Sequence, residues 1–86
     1  MVTSSSRPLA ELALRTSGLV GFVDLVVSRE RTERHKPDPE PYIHALQSLG
    51  VSNHNAIVFE DSWDGLKSAL DAVSYTHLTL PTIYSV

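Results

Sequence analysis

Apolar residues recur along the chain in three helical rhythms, each set off by turn residues and preceded by a short β-prone stretch. Leu9, Leu12, Ala13 and Thr16 share one helical face; Ser5 or Ser6 can cap that helix, Pro8 suits its first turn and Gly18 its stop. Val23 to Val27 is a β-prone run and predicts a short strand. Asp38 is a natural N-cap for a second helix, with Pro39 at its first position and Pro41 still within the first turn. Tyr42, Ala45, Leu46 and Leu49 then keep the i, i+3, i+4, i+7 spacing of a buried stripe, and Gly50 ends it. Ala56 to Phe59 is continuously apolar, as expected of a strand covered on both faces of a parallel sheet. A third helix starts at Ser62 and should bury Leu66, Ala69, Leu70 and Val73. This alternation predicts an α/β fold with a parallel sheet and right-handed crossovers.

The two ends break the pattern. Met1 to Ser4 reads as the last residues of a strand whose beginning is missing. After Ala72 the helical rhythm stops, and Tyr75 to Val86 holds no Asp, Glu, Lys or Arg. Its β-branched and aromatic residues suit an edge strand. The expected organisation is a core over 1–73 and an atypical tail over 74–86, whose composition points to non-native sequence.

Composition narrows the function classes. At 86 residues the chain holds one domain, and its net charge of −3 argues against a general nucleic-acid binder. Without cysteine, disulfide scaffolds and thiolate metal sites are excluded. No apolar run reaches the ~20 residues of a membrane span, so a cytoplasmic chain with no membrane partner is expected.

Three stretches sit where a strand feeds a turn, the place where open parallel sheets build their sites. Glu60 and Asp61 follow the apolar strand: two carboxylates there form a hard-oxygen site suited to Mg²⁺, or serve only as partners of the helix dipole. Thr3, Ser4, Ser5 and Ser6 open a helix, either as an anion cradle of hydroxyls and N–H groups or as an ordinary cap. Lys36 stands on a rigid Lys-Pro dipeptide, a cation aimed at an anion or a solvated surface lysine. The rest of the mixed-charge run 29–36 reads as a solvated connection. His35, His44, His54 and His77 lack metal-ligand spacing and read as surface or filler, and Trp63 as a packing residue.

Taken in order, Thr-Ser-Ser-Ser-Arg at 3–7, Lys-Pro-Asp-Pro-Glu at 36–40 and Val-Phe-Glu-Asp-Ser at 58–62 resemble the haloacid dehalogenase-like hydrolases. The likeness is strongest to the branch of β-phosphoglucomutase and the sugar-phosphate or phosphoglycolate phosphatases. Tyr42 to Leu46, Leu49-Gly50-Val51, Asp64-Gly65-Leu66 and Ser68-Ala69 support it, and it spans roughly residues 2 to 72.

The resemblance implies a partial Rossmann-like three-layer α/β/α core with a parallel sheet, lacking the first strand and the cap domain. It implies a Mg²⁺-dependent phosphatase acting on a small phosphorylated metabolite through an aspartyl-phosphate. In that scheme Ser4 donates its hydroxyl to a phosphoryl oxygen, helped by the N–H groups of Ser5 and Ser6. Lys36 neutralises charge on the nucleophile and the transferring group. Asp61 binds Mg²⁺ directly, with Glu60 as a second or water-mediated ligand. In the assembled enzyme, Lys36→Ala is expected to lower turnover far more than stability, because a loop lysine supports little packing.

The sequence departs from the family at its first motif. No Asp-x-Asp sits at a strand end: Asp38 precedes Pro39 and Glu40, and Asp61 precedes Ser62 and Trp63. The nucleophilic aspartate is therefore expected outside this chain, which alone should be marginally folded and inactive. Two alternatives remain. A sugar-phosphate mutase of the same superfamily shares every residue visible here. A non-catalytic phosphate-binding α/β module, such as a receiver domain, is disfavoured because its acidic pair comes near the start of the chain.

Overall fold

The computed structural model describes residues 1–52, 55–75 and 83–85. Three helices, α1 (Arg7–Ser17), α2 (Glu40–Leu49) and α3 (Trp63–Tyr75), alternate with short extended segments, as the pattern predicts. Single 3₁₀ turns lie at Val20–Phe22 and Arg29–Arg31.

Helix α1 ends as its glycine requires. Gly18 takes the left-handed conformation (φ 74°), and the N–H groups of Gly18 and Leu19 close onto the carbonyls of Arg15 and Leu14. Its start differs from expectation. Ser6 holds the cap position, but its side chain makes no cap bond. The Arg7 N–H donates instead to both carboxylate oxygens of Glu30, at 2.9 and 3.2 Å. The buried face is also rotated: Ala10 and Leu14 are inside, whereas Leu9 and Leu12 are 61% and 59% exposed. Both stripes are apolar, so periodicity cannot choose between them, and the described segments cover only the second.

The predicted strand Val23–Val27 reduces to one residue. Val27, fully buried, forms an isolated parallel bridge to Val2, with Thr3 N–H to Val27 O at 2.9 Å and Val27 N–H to Met1 O at 2.8 Å. The Leu25 carbonyl also accepts from the Met1 ammonium at 2.8 Å, but among the described residues no second bridge extends the pairing into a strand.

Helix α2 begins one residue later than predicted, with Pro39 at its cap position, while the Asp38 carboxylate accepts the Glu40 N–H at 2.9 Å. Ala45 is buried and Tyr42 and Leu46 half-buried, but Leu49 is exposed. Gly50 ends the helix at φ 63°. Strand β1 (Val58–Glu60) starts two residues later than read and is not covered on both faces. Phe59 is 72% exposed and Ile57 also faces outward, leaving Glu60 as the buried residue. Strand β2 (Ile83–Ser85), within the stretch read as an edge strand, pairs in parallel with β1 in the register Val58 to Ile83.

Helix α3 is capped by the Ser62 hydroxyl, which accepts the Gly65 N–H at 3.1 Å. It buries Ser68, Ala69 and Ala72, half-buries Leu66 and leaves Leu70 exposed; the Val73 side chain lies outside the described residues, as do His54 and His77. The Ser68 hydroxyl donates to the Asp38 carbonyl at 2.6 Å, pinning α3 to the start of α2. No described helix is long and apolar enough to cross a membrane. Met1 and Val2 on one side and Ala56, Ile57 and Val58 on the other border an apolar slot, floored by Tyr42 and Leu46 of α2.

Candidate active site

The ends of the two extended pieces meet at one open cleft. Ser4, Ser5, Lys36, Glu60, Asp61 and Asp64 all line it, although they come from three separate parts of the chain. Ser6 is outside that lining, at the start of α1. Part of the expected anion cradle is already engaged: the Ser5 N–H donates to the Thr3 hydroxyl at 3.1 Å, and the Ser5 carbonyl accepts from Arg29 at 2.9 Å.

Lys36 is the centre of the site. The peptide bond between Lys36 and Pro37 is cis. The lysine Nζ donates to the Val2 carbonyl at 2.9 Å and forms an ion pair with Glu60 Oε2. The two side chains are only 13% and 8% exposed, so of the two alternatives for Lys36 the solvated surface lysine is excluded. The expectation that it supports little packing is corrected with it, because removing it strands a buried carboxylate.

Two residues that the sequence reading assigned to the core or passed over hold this pair. Tyr42 donates its hydroxyl to the same Glu60 Oε2, and its ring centroid lies 5.5 Å from Lys36 Nζ, within cation–π range. Burial, followed by the hydrogen bond and charge of Glu60, pushes the Tyr42 hydroxyl far above its ordinary value, so it stays a donor. Gly65, in the first turn of α3, faces the Glu60 carboxylate so closely that a Cβ would overlap it. A buried tyrosine hydroxyl needs a partner, which is the one signal in the sequence that pointed beyond packing for Tyr42. Glu30, read as a solvated loop charge, is likewise a helix cap.

Asp61 and Asp64 stand exposed on the cleft wall beside Glu60. No three His, Asp or Glu side chains gather into a metal-binding group among the described residues. The donors are nevertheless all hard oxygen, and Mg²⁺ needs only one or two carboxylates when water and substrate phosphate complete its shell. The residues therefore fit that ion. His35 is held to the Arg29 carbonyl at 2.8 Å, away from the cleft lining.

Residues 1–76 match the sequence model of the haloacid dehalogenase-like hydrolases. The chain belongs to that family. Among its curated relatives, a validoxylamine A 7'-phosphate phosphatase from Streptomyces hygroscopicus subsp. limoneus is 42% identical over 69 residues, covering 80% of this chain and 32% of that protein. A fructose-1-phosphate phosphatase of Escherichia coli is 35% identical over 75 residues, covering 83% of this chain and 40% of its own length. A crystal structure described as a β-phosphoglucomutase from Thermotoga maritima superposes with a TM-score of 0.78 at 30% identity, over 94% of this chain and 35% of that one. This haloacid dehalogenase-like chain thus has an α/β fold and spans about a third to two fifths of the length of these relatives.

Proposed function

We propose that this chain supplies the phosphate- and cation-facing part of a Mg²⁺-dependent phosphatase acting on a small phosphorylated metabolite of the sugar-phosphate or phosphoglycolate type. The observation that carries this reading is Lys36. Two of its three ammonium protons are fixed on Val2 and Glu60, leaving one N–H for the cleft it lines with Ser4 and Asp61. A buried, oriented cation beside hydroxyls and carboxylates is the electrostatic arrangement that phosphoryl transfer requires.

In this reading Ser4 donates its hydroxyl to a phosphoryl oxygen, with the Ser6 N–H nearby and the Ser5 N–H available once it leaves Thr3. Lys36 neutralises charge on the transferring group and on the attacking aspartate, which this chain's sequence does not contain. Asp61 holds Mg²⁺, with Asp64 beside it and Glu60 Oε1 acting through water, because Glu60 Oε2 is committed to Lys36 and Tyr42. The ion, when bound, adds positive charge to the phosphoryl oxygens. The chain then corresponds to the later half of a three-layer α/β/α core whose first strand, with the aspartate that forms the phospho-enzyme, and whose cap domain lie outside it. A cytoplasmic location and a non-native origin for 74–86 belong to the same proposal. The β-phosphoglucomutase likeness keeps a mutase as the second reading, since both chemistries use the same residues.

The test has two parts. Inorganic phosphate and Mg²⁺ are titrated into the ¹⁵N-labelled chain while the Ser4 and Asp61 amides are followed. Shifts at both support the reading, and their absence makes the chain an interaction module. Sequencing the DNA on both sides then asks for an in-frame Asp-x-Asp-Gly strand upstream and for the origin of the tail.

A further inference from the structure

Tyr42 joins two features that are otherwise separate. Its ring floors the apolar slot, while its hydroxyl reaches the carboxylate that pairs with Lys36. We infer that Tyr42 is a positioning residue for Lys36, acting through Glu60; this rests on the phosphate-site reading above.

A lysine carries its charge on a flexible four-carbon stem, and a glutamate side chain has several staggered conformers of its own. An ion pair between two such side chains fixes a distance but not a direction. Four further features remove that freedom here. The Val2 carbonyl takes one ammonium proton. The Tyr42 hydroxyl lands on the same carboxylate oxygen as Lys36, so it fixes which oxygen the lysine meets. The missing Cβ of Gly65 lets the carboxylate lie flat against the first turn of α3. Tyr42 also touches the lysine through its ring face, so the two donors on Glu60 constrain each other. A tyrosine placed only to fill the core would need one acceptor of any kind. It would not need the acceptor that orients the one cation of the cleft lining.

The chain has two lysines, Lys36 and Lys67, so ¹³C-lysine labelling gives two ε-methylene signals, with the exposed Lys67–Asp71 pair as internal control. Spectra are taken at low temperature with an osmolyte that favours the compact state. The expected result is inequivalent ε protons for Lys36 in the wild type, collapsing in Tyr42→Phe while Lys67 is unchanged. Inorganic phosphate, if it binds, should bind Y42F about fivefold more weakly, the size of one lost hydrogen bond. Tyr42→Phe should add nothing further in a Glu60→Gln background. Retained inequivalence in Y42F overturns the inference, as does a wild-type spectrum whose Lys36 ε protons are already equivalent. If Y42F loses its helical signal, Glu60→Gln with Tyr42 intact decides instead, because inequivalence surviving there shows that Glu60 does not hold the lysine. A wild type that shows the inequivalence but no phosphate binding refutes the phosphate-site reading alone.

Discussion

Lys36 and Glu60, twenty-four positions apart, form an ion pair from which solvent is almost excluded, with the Tyr42 hydroxyl on the same carboxylate oxygen. This contact ties the Lys-Pro loop before α2 to the end of β1, and Lys36 reaches from it to the backbone at Val2. The site is therefore also a structural joint.

Lys36→Ala should accordingly destabilise this chain. Breaking a buried pair from one side leaves an uncompensated carboxylate and costs about 3–5 kcal/mol, whereas replacing both partners with apolar groups is often neutral. The expected sequence in urea titrations followed by far-UV circular dichroism is wild type most stable, K36A least, and a Lys36→Met, Glu60→Leu double variant recovering most of the loss. Equal stability of K36A and wild type would show that the pair does not form in solution.

Gly65→Ala sets two effects against each other. Alanine is favoured over glycine inside a helix by about 1 kcal/mol. Here the new Cβ falls on the Glu60 carboxylate. Forcing an extra carbon into a filled space costs about 1–3 kcal/mol, so steric conflict should win. Thermal melts should show G65A below wild type, and the Lys36 ε-methylene signal should move. An unchanged or raised melting temperature would mean that Glu60 turns aside freely.

Much of this was legible from residue order alone. The glycine stops at Gly18 and Gly50 and the existence of all three helices follow from local chemistry that tertiary context leaves intact, whereas the grouping of Ser4, Lys36, Glu60 and Asp61 was implied only by the resemblance of their three motifs, in order, to the family. What was not legible depends on partners. Among the described residues Val23–Val27 has strand-forming residues but one bridged position, and Ala56–Phe59 is apolar yet leaves Ile57 and Phe59 exposed. Which stripe of α1 is buried could not be read because both are apolar. The Tyr42 contact was hidden by a rhythm that packing alone explains, and the Glu30 cap by a run of charges that looked solvated.

Glu30 carries a pH dependence. Hydrogen bonds from its own backbone N–H and from Arg7, with the charge of Arg29 adding to them, hold its carboxyl below the usual range. A carboxylate depressed in the folded state contributes stability that is present above its unfolded value and is lost as pH falls through the folded one. The helical signal of α1 should therefore weaken as pH drops below the ordinary carboxylate range. Glu30→Gln should lower helicity at neutral pH and flatten that part of the titration. A variant with the same acid profile as wild type would assign the transition to another carboxylate.

The isolated chain should melt broadly and turn nothing over. Among the described residues the bridge at Val2 and Val27 and the pair β1–β2 are each two strands wide, and two-stranded pairs are marginal in water. Between them lies the apolar slot, and Ile57 and Phe22 on its lining are exposed, as is Phe59. Unpaired edges and bare apolar surface of this kind favour association over a sharp transition. In the proposed reading the groups present would bind and orient a phosphoryl group, but the sequence offers no Asp-x-Asp at a strand end to attack it. Calorimetry should accordingly give a low, broad transition, and hydrolysis of p-nitrophenyl phosphate should stay at the buffer rate with or without added Mg²⁺. A sharp cooperative melt together with Mg²⁺-dependent turnover that disappears in K36A would show that the 86 residues are a complete enzyme using a different nucleophile.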